Sequence, residues 1–213
     1  MGKPFLVTGC GRSGTAWAAR FFSEIGFPCG HEVLYTPDGA GPLAMPESSW
    51  LAVPHLEDLP EGTMVLRMMR DPYLVVRSVI ARGFLSDLGG PFEEYVTRHR
   101  PEITRSLSHL GRAIRWVALW DEPMDEQPYR IFRAGETNQV SVAETVHHAT
   151  GQHLPVEKVG EALLNVGQKV NATRHLNRMR LPEVEHIASH PDGHLLALRA
   201  QRFGYRLPHR EKL

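Results

Sequence analysis

The stretch that most constrains this chain is its first. An apolar run, Phe5-Leu6-Val7-Thr8, stops at Gly9-Cys10-Gly11 and gives way to a helical pattern. From Ser13 to Ile25 the apolar residues Ala16, Trp17, Phe21, Phe22 and Ile25 recur at the spacing of one helix face, and Gly26 supplies the stop. A buried strand, a glycine-rich turn and a helix in that order turn a row of backbone N–H groups outward at the positive end of a helix dipole. That is the physical recipe for holding an anion. Gly9 and Gly14 stand five apart, as in a Walker A loop, but Gly14 is followed by Thr15-Ala16 where such a loop has its lysine. A dinucleotide fingerprint fits less well, because the third glycine is missing at its offset.

The same order recurs. Residues 63–69 read as a second strand, closed by Arg70-Asp71-Pro72, and a helical pattern runs from Tyr73 to Phe84 with Pro72 in its first turn. A longer amphipathic helix is expected over 102–120, with Ile103, Leu107, Leu110, Ile114, Val117 and Leu119 on one face. Tyr129 to Arg133 reads as a short strand, and further helices are expected at 140–150, 156–164, 182–190 and 193–203. Residues 29–36 are a weaker strand or a loop, and Pro37 to Pro46 an exposed loop. Strands alternating with helices predict an α/β fold: a single P-loop-like domain over residues 1–213, its parallel sheet flanked by helices on both faces.

Composition narrows the function. The 213 residues are 42% hydrophobic, which suits one globular domain. Basic and acidic side chains number 24 each, which argues against a surface that coats nucleic acid. Only Lys3, Lys158, Lys169 and Lys212 are lysines, so twenty of the basic residues are arginines, whose planar fork suits phosphate and sulfate. No apolar run is long enough for a membrane span, and no signal-peptide pattern precedes the first strand. Two cysteines, Cys10 and Cys29, permit neither a disulfide framework nor a four-cysteine zinc site, so a cytoplasmic location is expected.

Two motifs carry a resemblance. Arg12-Ser13-Gly14-Thr15-Ala16-Trp17 resembles the loop of the P-loop sulfotransferases, in which a basic residue is followed by Ser-Gly-Thr-Thr-Trp; Ala16 is the departure. Arg70-Asp71-Pro72 with Ser78 eight residues after Arg70 resembles that family's second motif. The resemblance implies a donor, 3′-phosphoadenosine 5′-phosphosulfate (PAPS). Its 5′-phosphate would lie on the amides of Gly11 to Trp17 and on Thr15, with Arg12 at the sulfuryl group and Trp17 stacking on adenine. Arg70 and Ser78 would take the 3′-phosphate, and no metal is required. The acceptor would be a hydroxyl or amine of a small molecule, carbohydrate or lipid. Arg12, with a pKa above ~12, is expected to stabilise charge and not to donate a proton.

A hydroxyl acceptor needs a base, and Gly30-His31-Glu32, which also resembles small bacterial members of the family, offers His31 or Glu32. His147, His148, His153, His175 and His186 read as surface residues, and Arg77 as a solvated helix charge. Residues 162–182 hold no acid but contain Lys169, Arg174, Arg178 and Arg180; this is a solvated basic surface or, by the resemblance, a lid at Asn171 to Arg174. Tyr129 to Glu136 resembles a late strand and acid of the family. Loop 37–50 and residues 86–100, with Tyr35, Trp50, Phe84 and Phe92, are the expected acceptor walls. Two alternatives stay open: a P-loop nucleotide kinase or NTPase holding Mg²⁺ on Asp71, and a nucleotide-binding protein without catalysis.

Overall fold

All five residues of β1, Phe5–Gly9, are buried, which is what a strand flanked on both edges and covered on both faces requires. The computed structural model describes residues 3–135, 138–170 and 182–205. In it β1 pairs in parallel with β5 (Glu47–Ser48) on one side and β6 (Met64–Met69) on the other. β2 (Gly30–His31) adds to β5 and β7 (Arg130–Arg133) to β6, giving a five-stranded parallel sheet of order β2-β5-β1-β6-β7. A separate antiparallel pair, β3 (Tyr35–Thr36) and β4 (Gly39–Ala40), turns within the expected Pro37–Pro46 loop. The expected α/β class with a parallel sheet is what the chain adopts.

Contacts divide the chain into two compact units, residues 1–70 with 123–173 and residues 71–122 with 174–213. The first holds the sheet. One face is covered by α1 (Thr15–Glu24), α6 (Gln139–Thr150) and α7 (Val156–Val170) around Phe5, Val7, Phe21, Phe22, Leu66 and Phe132. On the other face, Thr8 donates to the Ser49 carbonyl at 2.7 Å. Arg67, also on that face, pairs at 2.5 Å with Asp125, both side chains being almost wholly buried. Ser49 opens a 3-10 helix, Trp50–Asp58, which carries no sequence signature of a regular helix because Pro54 interrupts it.

The second unit contains, among its described residues, the helices α2 (Pro72–Ala81), α3 (Pro91–His99), α4 (Pro101–Thr104), α5 (His109–Leu119), α8 (Val184–Ser189) and α9 (Gly193–Arg202). The single helix expected over 102–120 is two. Ser108 accepts the Gly111 amide at 2.9 Å and caps α5, so the chain breaks at 105–108 and Leu107 stands 99% exposed. Helix α3 was not expected, although Pro91 at its start and Glu93 and Glu94 in its first turn are the usual signals. Arg77 is half-buried rather than solvated, and its Nε is buried without a hydrogen-bond partner.

Candidate functional site

Backbone conformation builds the site before any side chain enters. At the end of β1 the chain must pass so close to β6 that a Cβ on Gly9 would overlap the Met68 carbonyl oxygen. The loop then tightens through a bond from the Ser13 amide to the Cys10 carbonyl at 3.1 Å. Arg12 takes the left-handed conformation, φ 72°, and Gly14 a φ of 123°. A side chain at Gly14 would meet Met68 Cε at 2.8 Å and Ala134 Cβ at 3.1 Å. Glycine alone fits both constraints.

Helix α1 starts directly from this turn. Its N-cap is Gly14, no side chain caps it, and its first turn holds no acid. The amides there are therefore not engaged by a local oxygen from a cap, and the dipole favours an anion. Ser13 is buried, and its hydroxyl has no hydrogen-bond partner. A buried hydroxyl of this kind costs free energy unless a ligand or water satisfies it. Arg12 and Ala16 are exposed beside it.

The expected base lies next to this loop. Nε2 of His31 is 3.3 Å from the Thr15 hydroxyl and 3.4 Å from Oε1 of Glu32. Both side chains are partly exposed, at 34% and 23%, so each is reachable from solvent. Burial, helped by the Arg20 guanidinium, pushes the His31 imidazole below the usual histidine value, which keeps it neutral near pH 7. Burial pushes the Glu32 carboxyl above the ordinary carboxylate range. The indole of Trp50, which hydrogen-bonds to it, and the Arg12 guanidinium pull it down, while the charge of Glu47 adds to the rise. Gly11 to Thr15, His31 and Glu32 thus fall in one region of the first unit, where Ser48 also donates to the Thr15 carbonyl at 2.8 Å. A cavity of about 560 Å³ adjoins His31 along the flank of α1.

Other expected residues are placed differently. Trp17 is buried in the core, stacked on Phe21 at 5.4 Å and tilted against Phe132 at 5.4 Å, where it anchors the helix that follows the loop. Arg70 ends the first unit just beyond β6 and is half-buried. Ser78 is buried in α2, in the second unit. Asp71 accepts the amides of Tyr73 at 2.8 Å and Leu74 at 3.3 Å, which gives its carboxylate a capping role on α2. Tyr35 and Trp50 are buried in the first unit, while Phe84 packs edge-on against Trp116 in the second. The expected lid at Asn171 to Arg174, with His175, Arg178, Arg180 and Glu136, lies outside the described residues.

Two features had no sequence signal. Glu47 is buried with 0% exposure inside a polar loop sequence, Pro46-Glu47-Ser48-Ser49. His147 and His153, read as surface residues, stack at 3.6 Å and line a cavity of about 640 Å³ with Arg130 and His148. Neither Cys10 nor Cys29 is in a disulfide, and burial first, then Glu47, push the Cys29 thiol up to about 12, which favours the thiol over the thiolate at neutral pH. Among the described residues no helix is long and apolar enough to cross a membrane, and no group of three or more His, Cys, Asp or Glu could hold a metal ion. Comparison with family models, with curated proteins and with solved structures found no match.

Proposed function

We propose that the chain is a sulfotransferase of the P-loop type, moving a sulfuryl group from PAPS to a hydroxyl or amine of a small-molecule, carbohydrate or lipid acceptor. The observation that carries the reading is the junction of β1 and α1. There an uncapped helix N-terminus, a buried Ser13 hydroxyl with no partner and the exposed Arg12 stand beside the His31–Glu32 pair. A phosphate oxygen would satisfy the Ser13 hydroxyl at the uncapped start of α1. These residues fit the 5′ end of the donor.

The donor supplies a sulfuryl group on a good leaving group, with charge spread over oxygens during an in-line displacement. The chain's own residues then do four things. The loop amides from Gly11 to Trp17, with Thr15, hold the anion, and Arg12 neutralises charge where it develops. Arg70, at the end of the first unit, is assigned to the 3′-phosphate. Nε2 of His31 faces Glu32 and Thr15; with its proton on that nitrogen, a neutral His31 would present Nδ1 as the proton acceptor for an acceptor hydroxyl. Glu32 orients that ring or takes the proton itself. The placing of the protein in the cytoplasm belongs to the same proposal.

A thermal-shift panel tests it. With 3′-phosphoadenosine 5′-phosphate far above its Kd, the melting temperature should rise without Mg²⁺, by the equivalent of about 3 kcal/mol at a hundredfold excess. A shift only with ATP and Mg²⁺ would instead favour the nucleotide-kinase reading. A shift with the bisphosphate but no transfer to any acceptor would leave a binding protein.

A further inference from the structure

Glu47 is a carboxylate with no exposure whose polar contacts lead to the candidate base. It stands on β5 opposite Gly30 of β2, the residue before His31. Its Oε1 accepts the Val33 amide at 2.9 Å, and the amides of Glu32 and Leu34 act with Val33 to favour the charged carboxylate against the rise that burial causes. Three successive N–H groups thus favour negative charge on one side chain. The middle of this arrangement explains an otherwise costly feature: Glu32 is left-handed, φ 57°, a conformation that non-glycine residues keep only when their surroundings impose it. On the other side, Oε2 is buried without a partner, and a Cβ on Gly30 would overlap it.

A turn can be capped by water or by a neutral amide at far smaller cost than by a carboxylate cut off from solvent. We propose that Glu47 is a positioning residue: by gripping the amides of Glu32, Val33 and Leu34 it holds Glu32 in its left-handed conformation and so sets the Glu32 carboxylate against His31 and the Trp50 indole. Its importance for turnover rests on reading His31 and Glu32 as the base; its grip on the turn does not. The charged and titratable groups around the pair are Arg12 from the loop, Arg20 from α1, Cys29 and His31 from the β2 segment, and Tyr35 of β3 with Asp58 behind it.

Two variants separate charge from reach. Glu47→Gln keeps the length and an acceptor oxygen but removes the charge; Glu47→Asp keeps the charge but withdraws it from the amides. The carboxyl ¹³C signal of Glu32, followed against pH in the full-length protein, is the main readout. In Glu47→Gln it should titrate lower by about half a pH unit or more. In Glu47→Asp the amide shifts of Val33 and Leu34 should move, and the Glu32–His31 coupling should weaken. Turnover should fall in both, the acid limb of its pH profile moving with Glu32, while the Kd for 3′-phosphoadenosine 5′-phosphate stays within about twofold. An unmoved Glu32 titration in both variants, with only the melting temperature lowered, would reduce Glu47 to a structural residue. If neither variant folds, the wild-type protein decides: the amides of Glu32, Val33 and Leu34 must follow one titration with the Glu47 carboxyl, and independent titrations would overturn the assignment. A Glu32 shift in a protein that binds no bisphosphate would support the positioning role and sink the sulfotransferase reading alone.

Discussion

The hydroxyl of Thr15 and Nε2 of His31 stand 3.3 Å apart, so the first residue of α1 and the candidate base share one hydrogen bond. The anion loop and the proton acceptor are thereby built as one object. The imidazole is held below the usual histidine value by burial and Arg20. The unfolded chain therefore binds a proton that the native state refuses, between the ordinary value near 6.5 and the lower native one. Stability associated with His31 is complete above that ordinary value and is lost as pH falls through the native one. Urea denaturation of His31→Gln against wild type should show the variant gaining relative stability as pH drops from 7.5 to about 5. A constant difference over that range would contradict the assignment.

Arg12 combines a strained backbone, φ 72°, with the one basic side chain within Gly9 to Gly14. Arg12→Ala and Arg12→Gly should both lose about 10²–10³-fold in turnover, the usual cost of one charge-stabilising donor. The glycine variant should be more stable than the alanine one by about 1 kcal/mol, because only glycine is at ease at that φ. Equal melting temperatures for the two would show that the left-handed turn is not what the native loop adopts.

Gly14→Ala places a methyl group against Met68 Cε and Ala134 Cβ at a φ of 123°. Met68 has a flexible end and can yield, but the backbone cannot. A loss of about 1–3 kcal/mol is expected, along with loss of the bisphosphate-induced thermal shift. Restoring space with Met68→Ala should recover little of it.

In the second unit, Arg199 hydrogen-bonds Asp121 and the Ala118 carbonyl, with both charged side chains buried. Removing one partner strands the other, so Asp121→Ala should cost about 3–5 kcal/mol by chemical denaturation. The double variant Asp121→Leu with Arg199→Met should regain most of that. A larger loss in the double variant would mean that the pair stabilises by more than mutual neutralisation.

What was legible in the sequence followed the reach of its signals. β1 with α1 and β6 with α2 were readable because an apolar run and a glycine or proline stop are local facts. The split between α4 and α5 was not, because apolar periodicity runs through Leu107 and is blind to a serine hydroxyl that competes for an amide. β5 carries two polar residues whose burial is conferred by strands on either side, so nothing near Glu47 in the chain marks it. For Trp17 the helix pattern allowed a core or an exposed ring, and it is contact with Phe132, far along the chain, that places it in the core. Arg12, Thr15, His31 and Glu32 were legible as candidates; their mutual distances belong to the fold.

The parallel sheet has a consequence for how the protein is made. No two neighbouring strands in it are joined by a tight turn: Leu6 pairs with Val65, and Leu66 with Arg130. Each pairing must close a long stretch of chain, which slows folding and leaves strand edges open meanwhile. Gly14 packs against Ala134, and Trp17 against Phe132. The loop precedes β7 in the chain and therefore acquires its final walls only after β7 has emerged.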